Sequence, residues 1–205
     1  MRVFQKSLLA AALLAAPFLA HAESNFVTGN GALTANARLD FQITVPRVLY
    51  LRVGAGTAMA NNTTVNLIDF NVPAAQVGNG TPVAATAASG DLGNGTVTAR
   101  LIGNGGAITF SSTTTGALSN GAGDTISYAA IATSVASLTS STPLPHPALA
   151  DGASTNVNLT PTSGRVINRD AQWTYSYTNA AVVAPGTYGG VNTQNGRVTY
   201  TASMP

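Results

Sequence analysis

The sequence predicts an all-β protein: an immunoglobulin-like antiparallel β-sandwich with Greek-key connections and about eight to nine strands, with a β-barrel as the alternative. Two observations carry this. No segment sustains a helical period, and alternating runs of Val, Ile, Thr and Tyr are punctuated by Gly-Asn clusters. A period of two is that of a half-buried strand, and the clusters between the runs are turns.

Taken in order, the odd positions from Arg38 to Val53 (Leu39, Phe41, Ile43, Val45, Leu49, Leu51, Val53) keep one apolar phase broken only by Arg47. A strand of this length would span about 50 Å, too long for one small sheet. Pro46 near its middle donates no ladder hydrogen bond, so the stretch reads as one edge strand that bends there and passes from one sheet to the other. In TVNLIDFNV, Thr64 to Val72, the apolar phase switches between Leu67 and Ile68, which predicts a bulge. A short strand follows at Pro82 to Ala88. In VTARLIGNGGAITF the pair Asn104-Gly105 predicts a type I′ hairpin, with Leu101 facing Ile108, Ala99 facing Phe110 and Arg100 facing Thr109. Further strands are expected at Thr125 to Thr133, Thr155 to Leu159, Gln172 to Thr178 and Arg197 to Ser203. Between them, TPLPHPALAD at Thr142 to Asp151 is a Pro-rich crossover with at most one helical turn.

The first residues predict a compartment. Arg2 and Lys6 precede the apolar run SLLAAALLAAPFLA, which ends in Ala20-His21-Ala22. This is the pattern of a cleaved secretory signal peptide, and the run is shorter than the roughly 20 residues a membrane span needs. The expected organisation is therefore a signal peptide at 1–22, an N-terminal extension and candidate donor segment at 23–36, and a single β-sandwich domain at 37–205. Localisation is expected to be the bacterial periplasm, the cell surface or the extracellular medium. Removing Arg2 and Lys6 from nine basic residues leaves seven arginines against seven acids. A net charge of zero argues against a nucleic-acid partner, and no second apolar run argues for membrane insertion. Charged residues are 8% of the chain against about 25% in a typical soluble protein. Sheet edges thus lack their usual charged protection, so they are expected to be covered or used in assembly.

No catalytic signature is present, and the protein is expected not to be an enzyme and to carry no cofactor. With no cysteine, thiol chemistry and Cys-type metal sites are excluded. His146, the only histidine after residue 22, sits between Pro145 and Pro147 with no second histidine or neighbouring carboxylate. It reads as a surface-loop residue. The acids Asp40, Asp69, Asp91, Asp124, Asp151 and Asp170 are scattered singly, most beside Gly or Asn, as turn-capping residues are. Trp173, Tyr175 and Tyr177 share one face of a strand. They form either a sandwich core or a platform on which a sugar stacks.

Two stretches carry a resemblance. SNFVTGNGALTAN follows the signal, and Pro185-Gly186-Thr187-Tyr188 followed by RVTYTAS is similar to the closing PxGTY and final strand of spore-coat-U-like and archaic chaperone-usher pilin subunits. The resemblance implies a subunit that lacks one strand and receives it from a neighbour's N-terminal segment, which is strand addition to an open edge. It departs from that pattern in three respects: the usual cysteine pair is missing, Gly29 and Gly31 interrupt the alternation of a donor strand, and Pro205 replaces the polar-aromatic end often seen. The implied partners are copies of itself or related subunits and a periplasmic chaperone. Arg197, Val198, Tyr200 and Ala202 would form the assembly strand. The function expected is that of a pilin-like or surface-coat subunit assembling through strand edges, with a carbohydrate-binding or adhesin module as the alternative.

Overall fold

The computed structural model describes residues 23–161 and 164–205, so the expected signal peptide lies outside the described residues. The chain divides into two units, Met1–Val45 and Pro46–Pro205. In the first, residues 23–45 hold no strand or helix, and every one of them is exposed. Arg38 donates from Nε and Nη2 to the Glu23 carboxylate at 2.7 and 2.8 Å. That pair is itself exposed, where such a bond contributes little.

The second unit is an antiparallel β-sandwich, and no barrel closes. Its strands are β1 (Leu49–Val53), β2 (Val83–Ala84), β3 (Thr96–Gly103), β4 (Ile108–Thr113), β5 (Leu118–Ser119), β6 (Thr125–Ile126), β7 (Ile131–Ala136), β8 (Ser154–Leu159), β9 (Ile167–Tyr177) and β10 (Thr199–Ser203). One sheet is built on β9. Its residues pair with β3 and β2 in succession along one edge and with β7 along the other, while β1 extends the sheet beyond β3. The facing sheet runs β10-β4-β8, and β5 with β6 makes a small separate ribbon.

The period-two pattern explains the core. In β3 the residues Val97, Ala99 and Leu101 point inward, and in β9 Ile167, Ala171, Trp173 and Tyr175 do the same. The facing sheet supplies Ile108, Phe110 and Leu159. Phe110 stacks on Trp173 with ring centroids 6.0 Å apart, which joins the two sheets through their largest side chains. Outward positions are polar, yet some are covered. Asp170 is buried on the outer side because residues 139–144 lie along this part of β9: its carboxylate accepts from Thr139 N, Thr139 Oγ1 and Ser140 N, and its carbonyl accepts from Leu144 N. Burial pushes this carboxyl up, but those hydrogen bonds outweigh it and hold it down at about 2.

Several expected elements differ from the folded ones. Only Leu49–Val53 of the long Arg38–Val53 run is a strand, and Leu39 to Val45 pairs with nothing. The proline that was expected to bend a strand instead opens the second unit. The hairpin at Asn104-Gly105 does not form either. β3 and β4 lie in different sheets, Leu101 pairing with Leu51 and Arg169, and Phe110 with Val157 and Ala202. A type I′ turn needs positive φ at both central residues, and neither Asn104 nor Gly105 has it; Gly106 does, at +127°. Asn104 is held elsewhere, its Oδ1 accepting from Val48 N and its Nδ2 donating to Pro46 O, both at 2.8 Å. The link therefore crosses between sheets. Ala99, Leu101, Ile108 and Phe110 still share one core, but across the sandwich. Thr64 to Val72 is not a strand and needs no bulge, because Ile68 and Phe70 pack on the core while Val65 and Leu67 stay exposed. The Thr125 to Thr133 run splits into β6, a 3₁₀ turn at Tyr128–Ala130 and β7. The Pro-rich crossover stays irregular, within the expected limit of one helical turn.

Phe110→Ala is expected to lower the free energy of unfolding by about 3–5 kcal/mol, because it opens a void between the sheets that the rigid Trp173 ring does not fill. A urea titration followed by Trp173 fluorescence measures it.

Candidate assembly groove

Between the edges of the two sheets the sandwich stays open. β1 pairs only with β3, and β10 only with β4, so each has one edge without a strand partner among the described residues. A cavity of about 1000 Å³ lies between them. Leu51 and Val53 of β1 line it together with Val97 and Tyr175 of the core, Ile68 and Phe70 of the extended stretch before β2, and Val198 and Tyr200 at β10. Several of these belong to the hydrophobic core or pack directly against it. The groove thus borders the core: Val97 and Tyr175 are buried, and the other lining side chains named are half-buried.

Local sequence explains how its walls are held. Asn179, buried and at a positive φ of 50°, accepts from Gly78 N at 2.9 Å and donates to Gln76 O at 2.6 Å. This ties the chain after β9 to the turn before β2. Tyr128 N donates to Asp151 Oδ1 at 2.8 Å, and its hydroxyl donates to Asn195 O at 2.7 Å. Burial pushes that phenol up to about 12, and the Asp151 charge adds to the effect. In the PGTY stretch Tyr188 donates to Ala184 O at 2.7 Å, and Pro185 to Tyr188 all line the groove. Asp124 and Asp151 hold turns as expected, whereas Asp170 lies within β9. Asp91 Oδ1 accepts from Thr98 N, and Asp91 Oδ2 pairs with Arg52 Nη2 at 3.1 Å.

At one side of the groove sits a cluster that sequence reasoning missed. His146 is not a surface-loop residue; it is partly buried, edge-on to Trp173 at 4.7 Å between ring centroids. Its Nε2 lies 2.7 Å from Tyr200 Oη and 3.1 Å from Tyr175 Oη, and the two hydroxyls are 3.0 Å apart. Burial holds the imidazole down at about 4, and no carboxylate is paired with it among the described residues. Burial likewise pushes Tyr175 up to about 12 and Tyr200 well above its ordinary value. A neutral imidazole linking two un-ionised phenols orients side chains; nothing around it activates a nucleophile. The prolines flanking His146 do not reveal this placement, because the partners are 29 and 54 residues away in sequence.

Trp173, Tyr175 and Tyr177 are core residues. Trp173 is fully buried and its Nε1 donates to Leu144 O at 2.9 Å, so no exposed aromatic platform for a sugar exists there. Of the expected assembly strand, Tyr200 and Ala202 lie in β10 and pack on the core, whereas Arg197 and Val198 precede the strand and line the groove. Among the described residues no group of three His, Cys, Asp or Glu is placed to hold a metal ion.

No known protein family matches this chain, and neither a curated protein nor a solved structure matches it.

The His146 cluster gives the fold a pH dependence. With a folded value near 4 and an unfolded value of about 6.5, the unfolded chain binds the proton first. Stability is therefore complete above about pH 6.5 and falls by about 3 kcal/mol as pH drops toward 4. Urea midpoints between pH 7 and pH 4 are expected to show this loss, and His146→Gln is expected to flatten it.

Proposed function

We propose that the protein is an exported, non-enzymatic structural subunit of pilin-like or surface-coat kind, and that copies join when Leu39 to Val45 of one enters the groove of the next. The reading rests on one observation above all: an open groove lined by core residues, in a chain that also carries an unpaired stretch with the right pattern. Leu39, Phe41, Ile43 and Val45 are 77%, 85%, 87% and 72% exposed. Four large apolar side chains on one phase of a strand are costly to leave in water, each representing about 1.5–3 kcal/mol of burial. Extended, they span about 20 Å, the scale of β10. Their intervening residues, Asp40, Gln42 and Thr44, suit the outer face. The unpaired edges of β1 and β10 would supply main-chain hydrogen bonds and the groove would take the alternate side chains, which is how strand addition divides affinity from specificity.

Under this reading the donor is Leu39 to Val45, and not the Gly-containing stretch at 23–36. Residues 1–22 direct export. A subunit with its core open must be covered until it assembles, so a periplasmic chaperone that lends a strand is the expected transient partner. The buried Trp173 removes the motivation for a sugar-stacking module at that site.

The chain from Glu23 onward, purified from its native cells, is expected to form filaments or ladders of oligomers in negative stain and gel filtration. Phe41→Asp with Ile43→Asp should abolish them while leaving the unfolding transition of the sandwich in place, since those residues lie outside the second unit. Strictly monomeric particles from native cells would overturn the proposal.

A further inference from the structure

A second cavity, of about 470 Å³, opens beside the start of β9. Its polar lining comes from Arg100, Thr139, Ser140, Thr142, Asn168 and Arg169, with no carboxylate among the residues that line it. Neither arginine is in an ion pair among the described residues, because the two pairs present use Arg38 and Arg52. Asp170 stands directly opposite Arg100 in the β3–β9 register. Its carboxylate, however, is occupied by Thr139 and Ser140. Arg100 Nε is left buried with no acceptor among the described residues.

That arrangement is costly without a ligand. A buried donor with no acceptor costs about 1–3 kcal/mol, and more when it is charged. A guanidinium does not escape by losing its proton. The rest of the lining is also biased toward donation. Ser140 Oγ accepts from Asp170 N at 2.9 Å and its hydroxyl also bonds the Asp170 carboxylate, which fills that carboxylate and leaves the arginines without it. Arg169 uses Nη2 on Thr160 O at a long 3.5 Å and keeps its other donors. Two cations, hydroxyls and an amide around a cavity make a site for an anion that also carries hydroxyl groups. Size points the same way, since 470 Å³ holds on the order of 15 waters at about 30 Å³ each, far more than a five-atom inorganic anion fills.

We propose that this cavity binds the carboxylate of a uronic-acid-type sugar, with Arg100 and Arg169 on the carboxylate and Thr142 and Asn168 on the sugar hydroxyls. The site is separate from the assembly groove and stands whether or not copies polymerise. Isothermal titration of the purified protein with sodium glucuronate, sodium sulfate and glucose tests it. Saturable binding of glucuronate is expected, at least tenfold tighter than sulfate, with none for glucose. Arg169→Gln, on a partly exposed side chain, should weaken glucuronate binding at least tenfold with the unfolding transition unchanged, and Arg100→Lys should weaken it less than Arg100→Gln. Equal binding of sulfate and glucuronate would overturn the sugar assignment. No glucuronate binding, or binding that survives Arg169→Gln and Arg100→Gln unchanged, would overturn the site.

Discussion

The contact between Phe110 and Trp173 is the constraint on which the sandwich depends. Each ring is the largest side chain its sheet buries, and their stack fixes the distance and alignment of β4 against β9. Tyr200 stacks on Phe110 with centroids 6.1 Å apart and also meets Trp173 at 5.5 Å, and His146 packs edge-on to Trp173. The terminal strand, the Pro-rich crossover and the central strand are thus referred to one aromatic centre. With no disulfide to close loops, cohesion comes from such packing and from the hydrogen bonds that side chains lend to turns.

The groove begins where that centre ends. Toward β1 and the far edge of β10 the aromatic packing gives way to Val53, Ile68, Phe70 and Val198, whose apolar faces meet a cavity instead of a facing strand. Hydrophobic burial is non-directional and follows the area removed from water, so half-buried apolar side chains facing a cavity can still gain by further burial. Leu39, Phe41, Ile43 and Val45, on one phase of an unpaired stretch, are exposed as well.

Much of the chemistry of the arginines was hidden for the opposite reason. Arg52, Arg100 and Asp170 occupy neighbouring register positions across three strands, and sequence spacing alone gives no hint of it. Which arginine finds a carboxylate is decided by the loops that fold over the sheet. Asp91 reaches Arg52, while Thr139 and Ser140 take Asp170 away from Arg100. The second cavity follows from that competition.

The β class, the inward phases of β3 and β9, and the placement of Trp173, Tyr175 and Tyr177 on one face were legible in the sequence. These are local properties, because side-chain alternation acts within a few residues. Tertiary structure alone decided that β3 and β4 belong to opposite sheets, that His146 enters the core, and that the apolar run before Pro46 has no strand beside it. Alternation says which face of a strand is apolar but not which strand covers it, so a strand built for a partner and a strand built for its own sheet read alike. The difference lies in whether the rest of the chain fills the place beside it, and among the described residues β1 and β10 each keep one edge with no strand paired to it.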